Sequence, residues 1–278
     1  NSKNLVAYLI CLWIASGCAY RDESWYRAEA EKDSCTLWDC SLTPAPDDQK
    51  QALEAFYTSM NGSDWAQQDN WLKGNPCRDQ WFGVTCREGN VIGLNFIQNN
   101  MKGAALPDEI QNLTSLKIFR FFNFDDVDVA ALTQDSKDDR IFHRNSLGEL
   151  PAVFGTLTDL EVLEVANVGL STLSFTLNSL TKLQILNLSN NSITMPLPSL
   201  SQLTNLEILE LAQNQFSGEL TEANFNGNRK LRLILLASNQ LTGLVPRLTD
   251  FPLLEAFDVR HNSFGGTFPM RYLAPITV

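Results

Sequence analysis

Apolar residues in the second half of the chain recur with a fixed step. The clearest run is Leu180, Leu183, Leu186, Leu188, Asn191 and Ile193, and it returns as Leu203, Leu206, Leu209, Leu211, Asn214 and Phe216. Further copies are Leu231, Ile234, Leu236, Asn239 and Leu241, then Phe251, Leu254, Phe257, Val259, Asn262 and Phe264. Weaker copies run through Leu94, Phe96, Asn99 and Met101, through Leu113, Leu116, Phe119 and Phe121, and through Leu157, Leu160, Leu163 and Val165. The start points 157, 180, 203, 228 and 251 lie 23 to 25 residues apart, a period that marks stacked structural repeats. Ahead of them Leu53, Phe56, Tyr57 and Met60 follow the i, i+3, i+4, i+7 spacing of an amphipathic helix. Asp47 and Asp48 suit its positive end, and Asn61-Gly62 stops it.

In each copy the L-x-L pair points to one side of a short strand and its neighbours to the other. Parallel stacking of the strands then joins the leucines into one core that no single copy could bury. The repeated asparagine falls where the strand turns, and its amide pairs with backbone groups left open there. Asn99, Asn191, Asn214, Asn239 and Asn262 are therefore read as a structural ladder. The solvent side of the strands carries Asn95 and Ile97, Arg120 and Phe122, Glu164 and Ala166, Asn187 and Ser189, Glu210 and Ala212, Leu235 and Ala237, Asp258 and Arg260. Seven strands at about 4.8 Å make a face on the order of 30 Å across, the scale of a protein loop or an oligosaccharide.

One repeat is interrupted. After Phe119-Arg-Phe-Phe-Asn-Phe124 the ladder position falls on Phe124, and in the next copy it falls on Val168. Residues 125–146, rich in aspartate, exceed the period by about twenty residues. They read as a solvated insertion on the rim or as a loop that touches a partner. A calcium loop does not fit, because the glycine and glutamate such a loop needs are missing.

The chain ends place it in a compartment. Lys3, the apolar run Leu5 to Ile14 and the small residues Ala15-Ser-Gly-Cys-Ala19 are the parts of a secretory signal or, if retained, an anchor. Ala15-Ser16-Gly17-Cys18 also resembles a bacterial lipoprotein box. Each reading puts the rest of the chain outside the cytoplasm, with membrane contact only through residues 1–20. Outside that segment stand four cysteines, Cys35, Cys40, Cys77 and Cys86, an even count that points to disulfides over metal. Residues 21–46 end in Thr43-Pro-Ala-Pro46 and read as a linker. The net charge of −11 argues against nucleic acid as a partner.

Asn70-Trp71, Cys77, Trp81-Phe-Gly-Val-Thr-Cys86 and Val91-Ile-Gly-Leu94 resemble the N-terminal cap of plant-type leucine-rich-repeat proteins. Endings such as Asn262-Ser-Phe-Gly-Gly-Thr-Phe-Pro269 resemble their repeat consensus. The resemblance implies an α/β leucine-rich-repeat solenoid, a curved horseshoe with parallel strands on its concave face and irregular or 3-10 segments on its convex face. It places a helical cap at 47–90 and repeats at 91–270; the stretch 271–278 departs from the family pattern and reads as a truncated or uncapped C-terminus. It also implies a Cys77–Cys86 disulfide and an extracellular role like that of receptor ectodomains or wall-enzyme inhibitors. A second bond, Cys35 with Cys40, is expected beside it.

No hydrolase, nucleotide-binding or zinc motif is present, and the two histidines, His143 and His261, stand far apart. The chain is therefore expected to be non-enzymatic, without cofactor or metal, and to bind a protein partner, with a glycan as the second choice. The alternative is a membrane-anchored scaffold built permanently into a larger complex. Candidate contact residues are Arg120, Phe122, Glu164, Asn187, Glu210, Leu235, Asp258 and Arg260. Arg120 with Phe122 is the foremost anchor, one where Arg120→Glu with Phe122→Ala is expected to weaken binding and leave the melting temperature unchanged. Candidate glycan sites are Asn61, Asn112, Asn187 and Asn190.

Overall fold

The computed structural model describes residues 43–123, 144–245 and 251–265. The expected helix is α1 (Asp47–Ser59), which buries Ala52, Leu53 and Phe56, with Met60 buried just beyond it. Its polar side also works. Gln49, 4% exposed, accepts the Val91 amide at 2.9 Å and donates to Asn90 Oδ1 at 3.1 Å, stitching the helix to the start of the sheet. Trp65, Trp71 and Trp81 fill the space below, with 4.9 Å between the rings of each successive pair. Each buried indole N–H donates to a backbone carbonyl, of Met60, Phe82 and Lys73 respectively. Gly83 has φ +76°, and a Cβ there would stand 2.4 Å from the Phe96 ring, so only glycine lets the chain pass. The Cys77–Cys86 disulfide closes this cap, as the resemblance implied.

Strand β1 (Val84–Arg87) pairs antiparallel with β2 (Asn90–Ile97) and covers the first edge of the sheet. From β2 onward all partners are parallel: β4 (Ile118–Phe122), β6 (Val162–Glu164), β8 (Ile185–Asn187), β9 (Ile208–Glu210), β11 (Leu233–Leu235) and β13 (Ala256–Asp258). Each buries its alternate residues, and Phe119, Leu163, Leu186, Leu209, Ile234 and Phe257 form a row closed to solvent. Burying one such side chain contributes roughly 1.5–3 kcal/mol. The returning arcs hold short 3-10 turns, Asp108–Asn112, Ala152–Thr156, Leu177–Ser179 and Glu222–Phe225, each of which drives one apolar residue inward. The arcs also pair with one another. Strands β3 (Lys102–Ala105), β5 (Ser146–Leu150) and β7 (Thr172–Leu173) make one small parallel sheet, and β10 (Ser217–Leu220) with β12 (Gln240–Gly243) another. These side sheets were not evident in the apolar pattern.

The ladder forms as expected. Asn191 Oδ1 accepts the amides of Val168 and Leu170, and its Nδ2 donates to the carbonyls of Val165, Leu188 and Ser189. Asn214, Asn239 and Asn262 repeat the arrangement, and Asn99 ties the first turn to Gln67 of the cap. The start point at 228 is held by Asn228, 1% exposed, whose Nδ2 donates to the carbonyls of Leu200 and Leu203.

The interrupted repeat corrects the sequence reading. Its ladder residue is Asn145, not the residue at position 124. Asn145 Oδ1 accepts the amides of Asn99 at 2.9 Å and Met101 at 3.1 Å, and its Nδ2 donates to the carbonyls of Phe96 and Phe122. These are four of the five roles that Asn191 performs two repeats later. Asn145, which spacing had put inside the insertion, thus belongs to the repeat, and Ser146 beside it opens β5. Asn123 closes the neck: its Oδ1 accepts the Asn145 amide at 2.7 Å, and its Nδ2 donates to the Asn145 carbonyl at 2.9 Å. The expected signal or anchor at 1–20, most of the linker, Cys35 and Cys40, the insertion at 124–143 and the stretch 271–278 lie outside the described residues. Among those described, no helix is long and apolar enough to cross a membrane.

Two outcomes follow for chemical denaturation. Asn145→Ala leaves two buried amides and a buried carbonyl unpaired, and should lower unfolding free energy by about 2–4 kcal/mol, as much as Asn191→Ala does. A loss below about 0.5 kcal/mol would remove Asn145 from the ladder. Replacing Cys77 and Cys86 by serine opens a short loop and should cost about 2–3 kcal/mol, with hydrogen exchange rising first in the cap.

Candidate partner-binding face

Strand register carries the candidate residues into rows. Asn95 pairs with Arg120, Arg120 with Glu164, Glu164 with Asn187, Asn187 with Glu210, Glu210 with Leu235 and Leu235 with Asp258. Six of the eight contact positions named from sequence thus stand in one line, on the side of the sheet opposite the leucine core. A second row beside it was not foreseen: Ile118, Val162, Ile185, Ile208, Leu233 and Ala256, also in register. Its signal lay in the residue just before each L-x-L pair. On the other flank, Phe122 and Arg260 stand at the two ends of a run of small residues, Ala166, Ser189, Ala212 and Ala237. The backbone ladder continues through this run, with Asn167, Asn190, Gln213 and Ser238 amides donating to the carbonyls of Ser189, Ala212, Ala237 and Arg260.

Charges are paired here, two of the pairs joining neighbouring repeats and one lying within the last. Lys117 meets Glu161 at 2.9 Å, Arg232 meets Glu255 at 2.6 Å, and Arg260 meets Asp258 at 2.7 Å. Arg120 and Glu164, 5% and 8% exposed, form the most enclosed pair, 2.5 Å apart. This corrects the expectation for Arg120. Its guanidinium is engaged by Glu164, and Arg120→Glu would set two carboxylates together at a buried position, costing roughly 3–5 kcal/mol. A charge reversal there reports on stability before it reports on binding. Phe122 remains half-buried at the end of the same strand.

Glu210 differs from its neighbours. Neither its carboxylate nor that of Glu207 has an ion pair or side-chain hydrogen bond among the described residues. Burial, then repulsion from the Glu164 carboxylate, pushes Glu210 up to about 7. At the far end, desolvation acts to raise Asp258, but hydrogen bonds from the Arg260 side chain and amide outweigh it and hold the carboxyl below its ordinary value. Of the glycan candidates, Asn61 is exposed in a left-handed turn after α1. Asn112 ends a 3-10 turn, and Asn190 follows β8 in a left-handed turn. Asn187 sits mid-face, and its Oδ1 accepts from the Ser189 amide and hydroxyl.

A carboxyl whose pKa is raised by folding stabilises the fold fully below its unfolded value near 4.5, and loses that contribution as pH climbs through about 7. Relative to Glu210→Gln, the wild-type chain should therefore become less stable between these pH values, by at most about 3 kcal/mol. Urea unfolding of both proteins across that range is the measurement. Parallel curves would mean that Glu210 is solvated as an ordinary carboxylate.

Comparison with known proteins agrees with this architecture. Residues 46–87 match the leucine rich repeat N-terminal domain, and residues 181–225 match a two-copy model of leucine rich repeats. Receptor-like protein 5 of Arabidopsis thaliana is 43% identical over 49 residues, which is 18% of this chain and only 17% of that protein's length. The ectodomain of the Arabidopsis receptor kinase HAESA, solved with an IDA peptide hormone lengthened at its N-terminus, superposes with a TM-score of 0.55 at 24% identity, covering 80% of this chain and 38% of that one. The BIR2 ectodomain of Arabidopsis thaliana superposes with a TM-score of 0.50 at 19% identity, covering 84% of this chain and all of the other, 100%. Helical cap, disulfide, parallel sheet and matched segments together give this chain the fold of a leucine-rich-repeat solenoid, with a cap and repeats similar to those of plant receptor-like proteins.

Proposed function

We propose that the chain is a non-catalytic recognition module that holds an extended segment of a protein partner across its concave face, outside the cytoplasm. The observation that carries this reading is the unbroken register of outward positions over seven parallel strands. That surface joins an aliphatic row, a row of polar and charged groups and a low run of alanine and serine, the mixture by which a face combines buried area with orientation. Its span, on the order of 30 Å, suits a peptide of several residues better than a metabolite. The HAESA ectodomain, of the same fold, was solved with a peptide hormone, which supports a peptide as the class of ligand. The Cys77–Cys86 bond supports an oxidising compartment.

Obstruction separates this face from the rest of the surface. Ala212→Trp raises a bulky ring from the middle of the small-residue run, whereas Ser199→Trp places the same ring on an exposed position of a returning arc. Partners captured by the wild-type chain and confirmed by calorimetry should bind the first variant at least about tenfold more weakly and the second unchanged. Equal affinities for the two variants would move recognition off the concave face.

A further inference from the structure

The concave rows contain more carboxylates than cations, and the imbalance is local. Four cations, Lys117, Arg120, Arg232 and Arg260, are matched by Glu161, Glu164, Glu255 and Asp258. The two carboxylates left over, Glu207 and Glu210, both belong to the β9 repeat, at the centre of the face. Around Glu210 nothing on the adjoining strands compensates it. Asn187 on β8 is neutral and spends its Oδ1 on Ser189. Leu235 on β11 is apolar, and the nearest basic residue of that repeat, Arg232, is bound to Glu255. Glu164 on β6 adds negative charge, offset by Arg120, and Asp258 on β13 is bound to Arg260.

We propose that Glu210 seats a lysine or arginine side chain of an extended peptide partner, with flanking aliphatic residues of that peptide lying on Ile185, Ile208 and Leu233. The proposal rests on the concave face being the recognition surface, and it specifies the partner's chemistry. Charge complementarity selects a cation, because an uncompensated carboxylate at the centre of the face, with Glu164 adding negative charge two strands away, is met by an ammonium or guanidinium. The apolar row selects its neighbours and the stem of the basic side chain, which covers hydrophobic surface while its charged end reaches the carboxylate. Ala212 and Ala237 beside Glu210 leave height above the sheet for that long side chain. Since the bound cation requires ionised Glu210, capture strengthens as pH rises through the value near 7 at which the free group ionises.

The test uses random heptapeptide display on the immobilised full chain at about pH 8, followed by fluorescence anisotropy of the selected peptides at about pH 8 and about pH 5.5. Enriched peptides are expected to carry lysine or arginine beside leucine, isoleucine or valine. Their affinity should fall at least about tenfold in Glu210→Gln, and by a similar factor at the lower pH. Glu210→Gln removes a desolvated charge, so this variant stays folded, which circular dichroism verifies. Peptides that lack a basic residue, or that Glu210→Gln binds as well as wild type, would overturn the proposal. If those peptides still lost affinity on Ala212→Trp, concave-face recognition would stand without it. Failure to enrich any sequence would count against peptide recognition as a whole.

Discussion

A strand that ends in a sharp turn leaves backbone amides and carbonyls facing a leucine core, where water does not reach them. The fold depends on how these groups are paired. In every repeat but the one with Val168 at this position an asparagine does it, accepting from amides on the neighbouring arc and donating to carbonyls of its own and the preceding strand, as Asn191 does. No apolar residue supplies both donors and acceptors, and removing one side chain strands several buried groups together. The leucines provide the driving force for stacking, but their packing tolerates small slips. Hydrogen bonds from a short, stiff amide do not, so the ladder fixes the register on which the outer rows depend.

Much of this was legible in the residues. The period, the α1 stripe, the sequence-read ladder and the outward positions emerged from spacing, because each repeat faces the same physical environment and repeats the same solution. What spacing could not show are relations without a local signal. Asn145 stands 24 residues after Phe121, whereas Asn191 follows Leu188 by three, so counting assigned its role to position 124. Gln49 looks like a solvated helix residue until the sheet edge is set beside it. The small side sheets use residues with no apolar alternation, held by main-chain bonds between arcs.

Charge posed a different difficulty. Arg120 and Phe122 stood out because an aromatic beside a guanidinium makes an effective anchor. The partner of Arg120 lies 44 residues along the chain, across an insertion, and only strand order shows that the two side chains meet. The same order reveals the surplus on β9, which total charge hides. A net charge of −11 describes solubility, while the distribution of paired and unpaired groups along adjacent strands describes what the surface accepts.

The neck formed by Asn123 and Asn145 separates two problems that a chain normally solves together. Because the two residues clasp each other and Asn145 resumes the ladder, the chain rejoins the repeat beside the point where Asn123 left it. Doubling the length of a flexible segment closed in this way costs about 0.6 kcal/mol of chain entropy, less than one lost ladder bond. The solenoid therefore offers a socket at this point, into which segments of varied length and sequence could be exchanged by evolution or by design without disturbing the register of the strands beneath.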